Sequence, residues 1–534
     1  MDKQRNLVIT GFMGVGKTAV GKAVAGRLGR PFVDMDAQIE SQTGKTIREL
    51  FDQDGEAAFR RHEAKLCQEL SGRKNLVIAT GGGALVPLEN LEAMQQTGIV
   101  ICLTCAIDEM VERLRGDAAR PLLGDGDPRA RIEALLDVRR QAYDGMPWRI
   151  NTTGKTVNEV ADLVARLAGS RRLTVRHPHA TYPIHIGAGL FSHLGDAIGA
   201  AGIDAAARLC VVSNTVVCPL YGDAVLEVLR RAGFDAGMCV LPDGERHKTL
   251  DTVRGVYDAL LSQGLDRGGV VLSLGGGVTG DIAGYAAATY LRGIRFVQIP
   301  TSLLAMVDAS VGGKTGVDLP EGKNLVGAFK QPELVVIDPL VLTTLSDEEL
   351  RSGMAEAIKH GIIGDEELFE EFSRDVVDRS FWATEQAGER IARVVQVKRT
   401  VIEEDPFETG RRAVLNLGHT VGHALERLSG YALRHGEAVS IGMIAAARLA
   451  WHCGLATEGL GRQIEKTLER HGLPIQCPPY AVADIVAAMG HDKKRQDGKL
   501  RWVLPRAIGD VVVRDDVPSD LVQDMLIEMG ARRA

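Results

Sequence analysis

One run constrains this chain more than any other. Gly11-Phe-Met-Gly14-Val15-Gly16-Lys17-Thr18 fits G-x-x-x-x-G-K-[ST], and it stands between an apolar run, NLVITG, and a helical pattern over 17–29. That spacing works only where a strand turns at once into a helix. The glycines let backbone N–H groups turn inward around phosphate oxygens. Lys17 sets a cation against the β- and γ-phosphates, the Thr18 hydroxyl ligates Mg2+, and the helix offers its positive end. Gly14, Val15, Gly16, Lys17, Thr18 and Ala19 are therefore the expected cradle for ATP with Mg2+. A unit of this kind belongs to a parallel sheet covered by helices, so the fold class is α/β.

Apolar runs at PFVDMD, NLVIATGGG and GIVICLT continue the alternation of strand and helix to about residue 170. Over 171–181 the pattern stops. The surrounding GSRRLTVRHPHATYP is basic, polar and proline-bearing, and reads as a linker with a solvated basic face. Over 182–340 the alternation resumes in ARLCVVSN, GMCVLPDG, GVVLSLGGG, RFVQIPT and ELVVID. Past 341 strands fade, and Ser346, with an acid three residues on, opens a long helical stretch. The expected organisation is a phosphate-loop domain with a parallel sheet (1–170), a Rossmann-like α/β domain (182–340) and a mainly α-helical domain (341–534).

Bulk properties exclude several classes. A net charge of −7 argues against a nucleic-acid binder, which usually carries a basic surplus. No run of ~18 apolar residues offers a membrane span, and the first residues run into a strand without a long apolar leader. Eight cysteines in 534 residues are too sparse for a disulfide framework. Cys102 and Cys105 flank an apolar run and read as buried strand residues. A cytoplasmic protein with reduced thiols is expected.

A phosphate cradle does not name the acceptor. Asp34 and Asp36 close the second strand as D-x-D, which sets both carboxylates on one face at its carboxyl end. One can stay near Mg2+ while the other takes a hydroxyl proton; the plain alternative is a helix cap. Arg60, the turn Gly81-Gly82-Gly83, Arg120 in RPLL and Arg139 follow. Arginines in such a pocket suit a carboxylate or a phosphoryl group in transfer. In these motifs residues 5–168 resemble shikimate kinase. The resemblance implies that Asp36, Arg60, Arg139 and the backbone of Gly81, Gly82 and Gly83 hold shikimate, with Asp36 as the base for its 3-hydroxyl. It gives Lys17 and Arg120 catalytic parts, Arg120 as a lid residue meeting ATP, and Asp34 a part in placing Mg2+. Another small polyol such as gluconate is the runner-up acceptor.

A second group of motifs follows. SLGGGVTGD puts Gly277, Val278, Thr279, Gly280 and Asp281 just after a strand, weak evidence for a dinucleotide when taken alone. Asp243, Gly244, Glu245, Arg246, His247 and Lys248 end an earlier strand with acids suited to ribose hydroxyls, and Thr301 and Ser302 follow the next one. Lys314 and Lys323 sit among glycines with Asp308 and Asn324 nearby, which suits a bound phosphate or carboxylate; the plain alternative is a basic surface loop. Glu356 lies in MAEAIKHG, His419 and His423 in LNLGHTVGHALE, and His435 in RHGEAV. Histidines four apart share a helix face and can bind one ion, but spacing alone does not say which pair does.

Read in order, DGExxK, GGGVxGD, VGGKT, GKN, AExIKH, LNxGHTxGHAxE and HGEAV resemble 3-dehydroquinate synthase over 182–515. The resemblance implies that Glu356, His419 and His435 bind Zn2+ or Co2+, with His423 as an acid/base group. It sets heptulosonate phosphate against Asp308, Lys314, Asn324, Lys359, Lys398, Arg412, Asn416 and His423, closed over by Lys493 or Lys494. NAD+ would meet residues 243–248 and 277–281, Thr301, Ser302, Lys314 and Lys323. Lys314, Lys359 and Arg412 would act in catalysis by neutralising phosphate and carboxylate. The implied reaction is transient oxidation by NAD+, loss of phosphate, return of hydride, ring opening and internal aldol closure. A homodimer through this part is implied too. The whole chain is thus expected to be a bifunctional enzyme of aromatic amino acid biosynthesis. The alternative is a polyol dehydrogenase, which would release NADH, behind a nucleotide-sensing or other small-polyol kinase domain.

Overall fold

The computed structural model describes residues 5–114, 127–144, 146, 148–168, 170–490 and 500–533. Arg120, Lys493 and Lys494, all expected at the sites, lie outside the described residues. The chain forms two compact units, Met1–Gly169 with Ser192–Asp204, and Ser170–Phe191 with Ala205–Ala534.

In the first unit β1 (Asn6–Gly11), β2 (Phe32–Asp34), β3 (Val77–Ala79), β4 (Gly98–Thr104) and β5 (Trp148–Asn151) make a parallel sheet in the order β2-β3-β1-β4-β5. All six residues of β1 are buried, which fits its run Leu7-Val8-Ile9 without polar alternation, as in a parallel strand covered on both faces. The phosphate loop leads into α1 (Lys17–Leu28). Here the structure corrects one expectation. The second strand stops at Asp34, and Met35 opens α2 (Met35–Thr43), so Asp36 lies in the first helical turn. Asp34 is the cap: its carboxylate accepts from the backbone N–H groups of Asp36 and Ala37. The two carboxylates are therefore not related by strand alternation.

The second unit contains β6 (Arg171–His177), β7 (Ala180–Ile186), β8 (Arg208–Asn214), β9 (Asp235–Leu241), β10 (Val270–Gly275) and β11 (Arg295–Pro300). A separate hairpin, β12 (Lys314–Leu319) with β13 (Gly322–Phe329), comes before β14 (Leu334–Ile337). The large sheet runs β6-β7-β14-β11-β10-β8-β9, parallel except for the β6–β7 pair. Residues 171–181, read above as a linker, are thus a strand and the start of its partner, in register from Arg171 opposite Ile186 to His177 opposite Ala180. The charges misled because β6 is an edge strand. Val175 and His177 face inward and are buried, while Arg172 and Arg176 are exposed, and exposed charge is how an edge strand avoids further pairing.

Strands also return late, as the hairpin β15 (Trp502–Ala507) and β16 (Asp510–Arg514). One apolar core joins the sheet to the helices. Ile184 and Val335 share it with Leu350, Trp382 and Ile444, so the stretches either side of residue 340 fold as one body. The helices that carry functional groups are Asp347–Gly364, Glu385–Glu404, His419–Leu428 and His435–His452. Ser346 caps the first of them, its hydroxyl accepting from Glu349 N, as its sequence position suggested. Cys102 is buried in β4, Cys105 lies half-buried just beyond it, and none of the eight cysteines is in a disulfide. Among the described residues no helix is long and apolar enough to cross a membrane.

Candidate functional sites

The phosphate loop has the backbone its glycines allow. Gly14 and Gly16 sit at φ 81° and 94°, where a side chain would be strained. Gly16 caps α1, so the helix N-terminus faces the loop. Lys17 Nζ donates to Phe12 O at 2.9 Å, and the Thr18 hydroxyl donates to Asp34 Oδ2 at 2.7 Å. The hydroxyl expected to ligate Mg2+ therefore already touches the carboxylate expected to place it.

Opposite the loop, Arg60, Arg139 and Asp36 converge on a residue that sequence reasoning did not single out. Glu63 is buried, and its Oε2 accepts from Arg60 Nη1 at 2.5 Å. Burial pushes its carboxyl up against the pull of Arg60, and the charges of Asp36 and Arg139 also reach it. Its position, one turn after Arg60 on the helix Glu56–Ser71, was the available signal. The glycine turn packs on this group. A Cβ at Gly81 would lie 2.5 Å from Glu63 Oε1 and 2.8 Å from Asp36 Oδ1, and one at Gly83 would lie 2.5 Å from Arg60 Nη1. Gly82 O accepts from the Tyr143 hydroxyl, and Arg139 stacks over Phe12 with 5.8 Å to the ring centre. The result is a cluster of two arginines and two carboxylates beside a phosphate cradle.

In the second unit, Gly276 caps the helix Gly277–Thr289 directly after β10. Thr301 N donates to Gly275 O at 2.9 Å, which holds the glycine loop against the end of β11. Thr279 is buried beneath Gly275, where an added Cβ would lie 2.6 Å from it. The turn at 243–248 meets this loop through Lys248. That buried ammonium pairs with Asp281 at 2.5 Å and donates to Asn324 Oδ1 at 2.6 Å. Asp243 accepts from Asn214 Nδ2 at 2.7 Å. Lys323 pairs with Glu245 at 3.2 Å and lies over the Tyr431 ring. The expected nucleotide residues are thus gathered at the carboxyl ends of parallel strands, where open α/β sheets bind ligands.

Next to them the three expected metal ligands meet. Glu356, His419 and His435 each offer a ligand atom, all within 4.8 Å of one another. Glu356 Oε1 lies 3.7 Å from His419 Nε2 and 3.3 Å from His435 Nε2. Ligand bonds of about 2.0–2.2 Å in a tetrahedron put donor atoms roughly this far apart. Each imidazole is held by its other nitrogen, His419 Nδ1 at Leu417 O (3.1 Å) and His435 Nδ1 at Glu426 Oε2 (3.3 Å), the arrangement that fixes ligand tautomers. Burial would lower the pKa of His435, but hydrogen bonds to Glu356 and Glu426 push it up to about 10. The surroundings thus favour positive charge here, which a cation can supply in place of a proton. His423 stands beside them, its ring centre 5.2 Å from that of His419. A second triad, His423, Glu426 and His435, and a third, Asp308, Glu356 and His360, also hold their ligand atoms within 4.8 Å of one another, so geometry alone leaves all three ion positions open.

Close backbone packing makes this convergence possible. A Cβ on Gly442 would lie 1.8 Å from Gly418 O, and one on Gly436 would lie 2.0 Å from Ser352 O. These contacts press the helix that starts at His435 onto the helices that carry His419 and Glu356. Gly442→Ala is therefore expected to push His435 from His419, at a cost of about 1–3 kcal/mol in stability. Thermal unfolding and zinc titration should both register it, and an unchanged zinc affinity would contradict this account of the packing.

Lys359 and Asp308 lie nearest the triad, both acting on the Glu356 carboxyl. Lys359 Nζ touches Glu356 Oε2, both fully buried on one helix. Lys398 Nζ donates to the backbone and side-chain oxygens of Asp308, each at 2.6 Å, and His360 Nε2 is 3.9 Å from the same carboxylate. Burial opposes ionisation of Asp308, yet Lys398, Lys359 and His360 hold its carboxyl well below the usual range. Arg412 donates to Pro406 O and Gly312 O. Asp405 fixes this segment by accepting from the backbone N–H groups of Thr409, Gly410 and Arg412. Lys314 pairs with Glu408 at 2.5 Å. Asn416 ends the short turn Arg411–Asn416 and is half-buried, while Asn324 adopts a left-handed φ of 53° at the start of β13. Sequence reasoning did not single out Glu408, Glu426 or His360. Glu426 offered a signal, being one turn after His423 on the same helix face.

Comparison with known proteins agrees with this geometry. The family model for shikimate kinase matches residues 13–168, that for the 3-dehydroquinate synthase N-terminal part matches 238–352, and that for its C-terminal part matches 353–495. The 3-dehydroquinate synthase of Synechocystis sp. is 46% identical over 353 residues, covering 65% of this chain and 97% of that one. The enzyme of the same description from Synechococcus sp. is 46% identical over 361 residues, covering 67% and 98%. Among solved structures, the 2-epi-5-epi-valiolone synthase ValA of Streptomyces hygroscopicus, with NAD+ and Zn2+ bound, is 31% identical, covers 67% of this chain and 99% of that one, and has a TM-score of 0.61. The chain belongs to the 3-dehydroquinate synthase family, and it carries a shikimate kinase domain ahead of the synthase.

Proposed function

We propose that the first unit transfers the γ-phosphoryl group of ATP to the 3-hydroxyl of shikimate, and that the second converts 3-deoxy-D-arabino-heptulosonate 7-phosphate to 3-dehydroquinate and phosphate. The observation that carries the second reading is the meeting of Glu356, His419 and His435 beside buried lysines. Glu356, His419 and His435 would hold Zn2+ or Co2+, and residues 243–248 and 277–281 with Thr301, Ser302 and Lys323 would hold NAD+. When bound, these groups would acidify a substrate hydroxyl and accept, then return, a hydride.

The rest falls to the chain itself. Lys359, Lys398, Arg412 and Lys314 supply cationic charge for the phosphate and carboxylate of the substrate, with little solvent around the first three, which are buried. His423 stands where it can move a proton at the substrate, and Glu408, next to Lys314, offers a carboxylate for the same task. In the kinase, Asp36 takes the proton of the 3-hydroxyl, Arg60 and Arg139 grip the carboxylate, and Lys17 steadies the phosphoryl group in transfer. Glu63 keeps Arg60 aimed by pairing with it. A homodimer through the synthase part and a cytoplasmic setting complete the proposal.

The test uses the full chain with ATP, Mg2+, Zn2+ and NAD+ present. Shikimate should release ADP, and heptulosonate phosphate should release inorganic phosphate with no growth of NADH absorbance. Steady NADH formation with a polyol, and no phosphate release, would favour the dehydrogenase instead.

A further inference from the structure

Glu426 joins the two halves of the synthase site. It is 3% exposed, and its carboxylate has two partners. Oε2 meets His435 Nδ1 at 3.3 Å, and Oε1 meets Lys323 Nζ at 3.3 Å. His435 turns its other nitrogen towards Glu356, while Lys323 also pairs with Glu245 in the turn expected to bind the nucleotide. A continuous chain of charged contacts therefore runs Glu245, Lys323, Glu426, His435, Glu356. A buried carboxylate behind an imidazole fixes which nitrogen is free to ligate and makes it more basic. Lys323 is shared between that carboxylate and the nucleotide turn.

We propose that Glu426 is a positioning residue, which holds His435 for the metal ion and couples that ion to NAD+ binding through Lys323. It is not itself a metal ligand, although the distances of the second triad would allow it to be one. The inference rests on the metal reading of Glu356, His419 and His435 proposed above.

Zinc affinity of the metal-stripped full chain, measured by competition with a chromophoric chelator, separates the possibilities. Removing a carboxylate behind a ligating histidine typically costs 10–100-fold in metal affinity. Glu426→Ala should therefore lose about 10–100-fold. Glu426→Gln keeps an acceptor oxygen for His435 Nδ1 and should lose clearly less, while His419→Ala should lose far more than either. Melting curves identify any variant that does not fold, and Glu426→Gln, which changes the shape least, then decides the matter. If both Glu426 variants bind zinc like the parent while His419→Ala does not, the positioning role is wrong and the metal site stands. If Glu426→Gln loses as much as His419→Ala, Glu426 is a ligand and the proposal falls. If His419→Ala binds zinc like the parent, the metal reading itself is wrong. The coupling has its own measurement. NAD+ affinity of the parent should differ between zinc-loaded and zinc-free protein, and Glu426→Gln should narrow that difference. Equal NAD+ affinities in the parent would overturn the link through Lys323.

Discussion

Replacing His419 by alanine should silence phosphate release from heptulosonate phosphate and leave shikimate phosphorylation untouched. His419 provides one of three donors that lie within 4.8 Å of each other, and the other two, Glu356 and His435, cannot complete a tetrahedral site without it. A bound cation is worth several kcal/mol of charge stabilisation at a reacting oxygen. At about 1.4 kcal/mol per factor of ten, losing some 4 kcal/mol slows the reaction roughly 10³-fold. His419 is the first residue of its helix, anchored by Nδ1 to Leu417 O, and its ring neighbours are His423 and His435 of the site itself, so its loss falls on the site and leaves the apolar core in place. The protein should stay folded with depleted zinc, which elemental analysis can count. Phosphate release within tenfold of the parent, at unchanged zinc content, would remove this histidine from the metal site.

The sites differed in how far sequence alone could reach. The phosphate loop was legible because its chemistry is local. Glycine conformations, lysine and hydroxyl lie within eight positions, and the structure needs only strand and helix on either side. The metal triad is spread over some eighty positions and is made by tertiary packing at Gly418, Gly436 and Gly442. Periodicity could show that His419 and His423 share a face; it could not choose between them, and only the family motif did. The acids Glu63, Glu408 and Glu426 escaped notice for a related reason. An acid on a helix or loop is ordinary until the fold shows which cation it faces. The hairpin of β6 and β7 was missed because an edge strand carries charge on its outer face, and that charge reads as solvated linker. Asp36 was misplaced by two residues of boundary: the strand ends at Asp34, two positions earlier than expected, and Asp34 becomes a helix cap.

Lys17→Ala is the complementary change, expected to stop the kinase and spare the synthase. In the structure Lys17 Nζ rests on Phe12 O at 2.9 Å, within the loop it follows, so the ammonium is already held at the mouth of the cradle. Its charge matters most when the γ-phosphoryl group is in flight, because negative charge then spreads over oxygens that the loop amides alone do not neutralise. The glycine backbone and the N-terminus of α1 remain in the variant, and they keep a share of the ground-state affinity for ATP. The loss should therefore fall mainly on kcat, by about 10²–10³-fold, the scale found when a single preorganised donor is removed from a transition state. KM for ATP should rise less than kcat falls. A rise in KM with kcat preserved would mean that Lys17 binds substrate and transition state equally. The phosphate loop would then be a nucleotide anchor, and the rate would have to come from Asp36, Arg60 and Arg139 across the pocket.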